Sequence, residues 1–83
     1  LEIQFNIATV FQKMGQYDEA LSVYNEMLKI APDNPLIYHN FSIAYFNLKD
    51  YNQAKVYLDK AKSLGLTPNP LYEKALNQRL QRK

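Results

Sequence analysis

The sequence predicts an all-α fold, in which five helices pair as hairpins and stack into a solenoid, an α-α superhelix. Three observations predict it. Gly15, Gln16 and Tyr17, followed by Ala20, Tyr24 and Met27, return 34 residues later as Lys49, Asp50 and Tyr51, followed by Ala54, Leu58 and Ala61. A fixed period between about 20 and 50 residues marks a stacked-repeat architecture. Within each copy the apolar residues recur every three or four positions, the spacing of one helix face. Two Asn-Pro pairs, Asn34-Pro35 and Asn69-Pro70, supply helix starts about one period apart.

The first helix, Glu2 to Met14, carries Ile3, Ile7, Val10, Phe11 and Met14 on one broad face, and Gly15 stops it by taking a left-handed conformation without a Cβ penalty. The second begins near Asp18 and Glu19, whose charges suit a helix N-terminus, and runs to about Ile30, burying Ala20, Tyr24, Met27 and Leu28. Pro32 closes it. Asn34 caps the third helix and Pro35 takes its first position, where a missing N–H costs nothing. That helix runs to about Leu48 with Tyr38, Phe41, Ser42 and Tyr45 inward. Lys49 stands where a glycine stop is expected, so a left-handed backbone there carries strain of order 1 kcal/mol. The fourth helix, about Tyr51 to Leu64, buries Ala54, Leu58 and Ala61 before Gly65. The fifth opens at Asn69-Pro70 and runs to about Gln81, with Tyr72, Ala75, Leu76 and Leu80 as its apolar stripe. The small residues Ala8, Ala20, Ser42, Ala54 and Ala61 allow helices to approach closely.

The chain has 83 residues and no cysteine, so it forms one domain at most, without disulfides or thiolate metal sites. No apolar run approaches the roughly 18 residues that span a bilayer, and no signal-peptide pattern opens the chain. These features read as a soluble chain, with the cytoplasm the favoured setting. It starts at Leu1 inside an apolar pattern, which reads as a piece of something longer. The net charge of +2 is unevenly spread: residues 1–59 carry four Lys against seven Asp or Glu, and residues 60–83 carry six Lys or Arg against Glu73 alone.

The run Gly15, Tyr17, Ala20, Tyr24, Met27 and Pro32, preceded by Ile7, Ala8 and Phe11, resembles the tetratricopeptide repeat. Tyr38, Phe41, Ser42, Tyr45, Tyr51, Ala54, Leu58 and Ala61 form a second copy. The resemblance divides the chain into a first repeat over 1–34, a second over 35–68 and a capping helix over 69–83. Gln4 in place of a bulky aromatic, Lys49 in place of glycine and a displaced Pro68 depart from the family pattern. The resemblance implies a non-catalytic scaffold for protein partners, curved so that the first helix of each pair lines a concave groove. On that face lie Glu2, Phe5, Asn6, Thr9, Gln12 and Lys13, then Leu36, His39, Asn40, Ile43, Phe46 and Asn47, with Leu71, Lys74, Gln78 and Arg82 from the capping helix. Aromatic and aliphatic groups there can anchor a peptide's side chains while Asn6, Asn40 and Asn47 bond its backbone. Relatives that hold the acidic tails of heat-shock chaperones use a clamp of Lys, Asn and Arg. Asn40 fits that role, but Phe5, Thr9, Leu71 and Ala75 stand where clamp residues are wanted, which argues against such a ligand.

Enzymatic chemistry finds no support. His39 is the single imidazole, and no nucleophile, phosphate loop or metal-ligand cluster accompanies it at usable spacing, so neither cofactor nor metal is expected. Asp18 and Glu19, adjacent in a helix, diverge by about 100° and read as first-turn charges. The basic end offers an RNA-binding alternative, since hairpin repeats of this length also resemble pentatricopeptide proteins and KSLGLTPNPLY is similar to their inter-repeat loop. Two repeats would read only about two bases, and the first helices carry little positive charge, so nucleic acid is not the favoured partner. A last alternative is self-association. Ile3, Val10 and Met14 widen the apolar face of the first helix where no earlier helix exists in this chain, and a stack generally needs at least three repeats. A preceding repeat or a second copy would cover them.

Overall fold

The computed structural model describes residues 1–81, and these form five α-helices: α1 (Glu2–Lys13), α2 (Tyr17–Ile30), α3 (Pro35–Asn47), α4 (Tyr51–Ser63) and α5 (Pro70–Gln81). Arg82 and Lys83 lie outside the described residues. Consecutive helices pack on one another, α1 on α2, α2 on α3, α3 on α4 and α4 on α5, giving a slab of 36 × 29 × 17 Å. Its thickness is about that of two helix layers.

Helix ends follow local chemistry. Asn34 Oδ1 accepts from Leu36 N–H at 3.0 Å, and Asn69 Oδ1 from Leu71 N–H at 2.8 Å, so both asparagines satisfy donors that the helix leaves free. Asp50 does the same for Gln53 N–H at 3.2 Å. Each of the three left-handed residues is followed by a paired turn. Gly15 N–H reaches Gln12 O and Gln16 N–H reaches Phe11 O; Lys49 and Asp50 repeat this on Phe46 and Tyr45, and Gly65 and Leu66 on Lys62 and Ala61. This is the six-to-one and five-to-two pattern that closes a helix through a left-handed residue.

Lys49 sits at φ 64 without being glycine, the strained case anticipated from the sequence. Lys49→Gly removes that strain and adds some backbone entropy to the unfolded chain, so a net gain of about 0.5–1 kcal/mol is expected. Urea denaturation followed by circular dichroism measures it; an equal or lower midpoint would mean the lysine side chain offsets the strain.

The small residues are where close packing requires them. Ala8, Ala20, Ser42, Ala54 and Ala61 are all fully buried. One cluster joins α1, α2 and α3 through Ala8, Ala20, Tyr24, Met27, Ile37, Phe41 and Ala44; another joins α4 and α5 through Ala54, Leu58 and Leu76. Between α3 and α4, Phe41, Tyr45 and Tyr57 form an aromatic stack, with Tyr57 centred 4.7 Å from Phe41 and 5.4 Å from Tyr45. α3 buries more than the single face its periodicity indicates, because Ile37 and Ala44 are also enclosed. It is covered by neighbours on several sides, so apolar residues surround its axis.

α1 shows the opposite. Ile7, assigned from the sequence to the packed face, is 45% exposed, and only Ala8 of this helix is buried. The core side of α1 is narrower than its apolar pattern.

Candidate functional site

α1 and α3 bring the candidate groove residues onto adjacent helices, 34 residues apart in pairs: Phe5 with His39, Asn6 with Asn40, Thr9 with Ile43, Gln12 with Phe46 and Lys13 with Asn47. The two helices are tied by a relay of amides. Asn47 Nδ2 donates to Gln12 Oε1 at 3.1 Å, and Gln12 Nε2 donates to the Tyr24 hydroxyl at 3.1 Å. Burial raises the Tyr24 phenol above its ordinary value, so the hydroxyl stays protonated while accepting from Gln12. Gln12 and Asn47 therefore serve the fold as well as the face they were assigned to.

Asn6 is exposed and Asn40 half-buried, and neither amide engages in such a relay among the described residues. Thr9 Oγ1 donates back to Phe5 O at 2.8 Å, a bond within its own helix, and Lys13 is exposed. Phe5 is half-buried with its inner part against the first core cluster, and Ile43 is half-buried on α3. Leu36 and Leu71, 51% and 77% exposed, are the most open apolar groups assigned to this face.

Phe46 and His39 are less free than their periodicity indicates. The Phe46 ring lies 5.3 Å from that of Tyr51 and 5.4 Å from that of Tyr72, both edge-on, which makes it part of the seat for α5. His39 meets Tyr72 edge-on at 5.9 Å, and burial holds its pKa below the ordinary histidine value, so the ring is neutral near neutral pH. Tyr72 is the residue the sequence reading undervalued. Its hydroxyl lies 2.6 Å from Ser42 Oγ, which also donates to Ala54 O at 2.7 Å. One buried serine thus joins α3, α4 and α5, and its only sequence signal is a small polar residue at an inward position.

Three cations of the basic end, Lys60, Lys62 and Arg79, are engaged within the fold. Lys62 Nζ pairs with Glu73 Oε2 at 2.6 Å across α4 and α5, and that bond holds the ammonium pKa above its ordinary value. Lys60 lies over the Tyr38 ring at 5.7 Å and Arg79 over the Tyr51 ring at 5.9 Å, geometries in which a cation is attracted to the aromatic face. Among the described residues, no group of three or more His, Asp or Glu side chains could hold a metal, and no helix is long and apolar enough to cross a membrane. Two surface depressions lie among the described residues, one along α5 at Pro70, Lys74 and Gln78, two of which were assigned to the capping-helix part of the groove, and one between Lys49 and Arg79.

Comparison with known proteins agrees with this architecture. The tetratricopeptide repeat family model matches residues 11–78, which runs from the end of α1 into α5. The chain is 38% identical over 61 residues to human tetratricopeptide repeat protein 28, covering 74% of this chain and 2% of that protein. It is 36% identical over 67 residues to human RNA polymerase II-associated protein 3, covering 81% of this chain and 10% of that protein. The chain thus spans a small fraction of the length of these relatives. Repeats of this type generally serve as protein–protein interaction modules and are typically non-catalytic, and on the strength of the match over most of its length the chain belongs to the tetratricopeptide repeat family.

Proposed function

We propose that the α1–α3 face binds an extended peptide segment of a protein partner, with Asn6 and Asn40 bonding its backbone. The observation that carries this reading is the contrast between two pairs of amides one repeat apart. Gln12 and Asn47 satisfy each other, whereas Asn6 and Asn40 keep donors and acceptors for a ligand. Ile43 and the open edge of Phe5 supply apolar surface beside them, and Thr9 and Lys13 form the polar rim. His39 contributes a neutral aromatic edge rather than a charge. Phe46 supports the site by seating α5 more than by offering its own ring.

A library of linear peptides displayed on phage, selected against the chain, supplies the probe. Asn6→Ala with Asn40→Ala removes about two ligand hydrogen bonds of roughly 1 kcal/mol each, so affinity for a selected peptide is expected to fall roughly ten- to thirtyfold. N-methylation of the peptide backbone opposite them should cost a similar factor. Unchanged affinity in the double variant, with its helical circular dichroism intact, would overturn the reading.

A further inference from the structure

We propose that docking of α5 and binding of peptide on the α1–α3 face are linked through Tyr72, a positioning residue that reaches the face from α5. The inference rests on the peptide-binding reading of that face. Ser42 is fully buried and has one hydroxyl hydrogen, which its bond to Ala54 O at 2.7 Å uses. The Tyr72 hydroxyl, 2.6 Å from Ser42 Oγ, is therefore the donor to it. Burial raises the Tyr72 phenol above its ordinary value, which keeps that hydrogen in place. The donors run one way, from α5 through α3 to α4, and bonds aligned head to tail strengthen one another.

Ser42 fixes where the Tyr72 ring stands on α3. His39 precedes Ser42 by one turn and Phe46 follows it by one, and the Tyr72 ring meets both edge-on, at 5.9 and 5.4 Å. At about 100° per residue, Ser42 lies roughly 60° to one side of His39, whereas Ile43 and Asn40 lie roughly 40° and 100° to the other. His39 and Phe46 thus stand between the tyrosine of α5 and the groups proposed to hold the peptide. By contrast, Leu76 packs with Ala54 and Leu58, Glu73 pairs with Lys62 and Arg79 covers Tyr51, all on α4. With α5 docked, both rings have a fixed neighbour. With α5 displaced they turn freely, and a ligand must order them as it binds, which costs affinity. A ligand that prefers the docked arrangement stabilises docking by the same factor.

The test uses the 83-residue chain and a phage-selected peptide as probe. Tyr72→Leu keeps an apolar side chain on α5 but removes the ring edge and the hydroxyl, and titration calorimetry is expected to show roughly tenfold weaker binding. Tyr72→Phe keeps the ring and should lose about threefold, the effect of one hydroxyl bond acting through α5. Saturating peptide should slow hydrogen exchange of the α5 amides in the wild type and leave it unchanged in Tyr72→Leu. The slowing should persist in the triple variant Leu71→Ala, Lys74→Ala and Gln78→Ala, which removes the groups through which α5 could touch peptide directly. His39 is the single imidazole, so its NMR signal reports on the face. Its titration midpoint should rise toward the ordinary histidine value in Tyr72→Leu, since the cover that lowers it is gone. Unchanged affinity in Tyr72→Leu would overturn the inference even if α5 unravels, because undocking is what must weaken binding. So would α5 exchange that ignores the peptide, or slowing that is lost in the triple variant and kept in Tyr72→Leu. Those outcomes leave the peptide-binding reading standing while Asn6→Ala with Asn40→Ala still weakens binding; a probe insensitive to that double variant overturns both.

Discussion

Phe41→Ala is expected to cost about 3–5 kcal/mol, the range for emptying a large aromatic site in a packed core. Phe41 is 1% exposed, and its ring lies 5.6 Å from Tyr24, 6.4 Å from Tyr45 and 4.7 Å from Tyr57. Three helices therefore meet on one side chain. A domain of this size has a total stability of about 4–12 kcal/mol, at roughly 0.05–0.15 kcal/mol per residue. Losing Phe41 removes a large share of it, and the variant is expected to be partly unfolded near 37 °C. The urea midpoint, read by circular dichroism, measures the loss. Val56→Ala, on the outer face of α4 where Val56 is 59% exposed, is the control and should change stability by about 0.5 kcal/mol at most. A Phe41 effect no larger than that control would mean the aromatic stack does not carry the α3–α4 contact.

Ala54→Leu tests the same contact from the opposite direction. Ala54 is fully buried, and its carbonyl lies 2.7 Å from Ser42 Oγ, so the backbones of α3 and α4 are held together with no room for a larger side chain. Overpacking of this kind costs about 1–3 kcal/mol. It also separates Ser42 from its acceptor and, through Tyr72, loosens α5. A fall in Tm of about 4–24 °C follows, at roughly 4–8 °C per kcal/mol for a domain of this length. Ala20→Leu should lower Tm similarly at the α1–α2 contact, since Ala20 is also fully buried. Unaltered transitions in both variants would contradict the close-approach role of these alanines.

Features governed by neighbouring residues were legible in the sequence. Asn34-Pro35 and Asn69-Pro70 mark helix starts because capping and proline geometry are local, and the left-handed residue at 49 follows from its place in the repeat. The inward alanines were legible because a period repeats them. What periodicity cannot show is how many neighbours a helix has. α3 encloses Ile37 and Ala44 because other helices surround it, and α1 leaves Ile7 open because they do not. The same limit applies to the candidate groove. Its residues share a face by helix geometry, but which amides are occupied depends on Gln12 meeting Asn47 across 35 residues. Phe46 looked like a free anchor because the packing of α5 over it follows from the path of the last loop, which no local pattern encodes.

The order of packing, each helix resting chiefly on the one before and after it, has a kinetic meaning. Most partners are close in sequence, so little loop entropy is lost before a contact forms, and folding of such a chain is fast for its size. Loss of structure is equally directional. Within this 83-residue chain taken by itself, α3 is the most enclosed helix, and α1 leaves most of its apolar residues exposed. In the isolated chain, local opening is therefore expected to reach α3 last, so its amide protons should be the slowest to exchange with solvent.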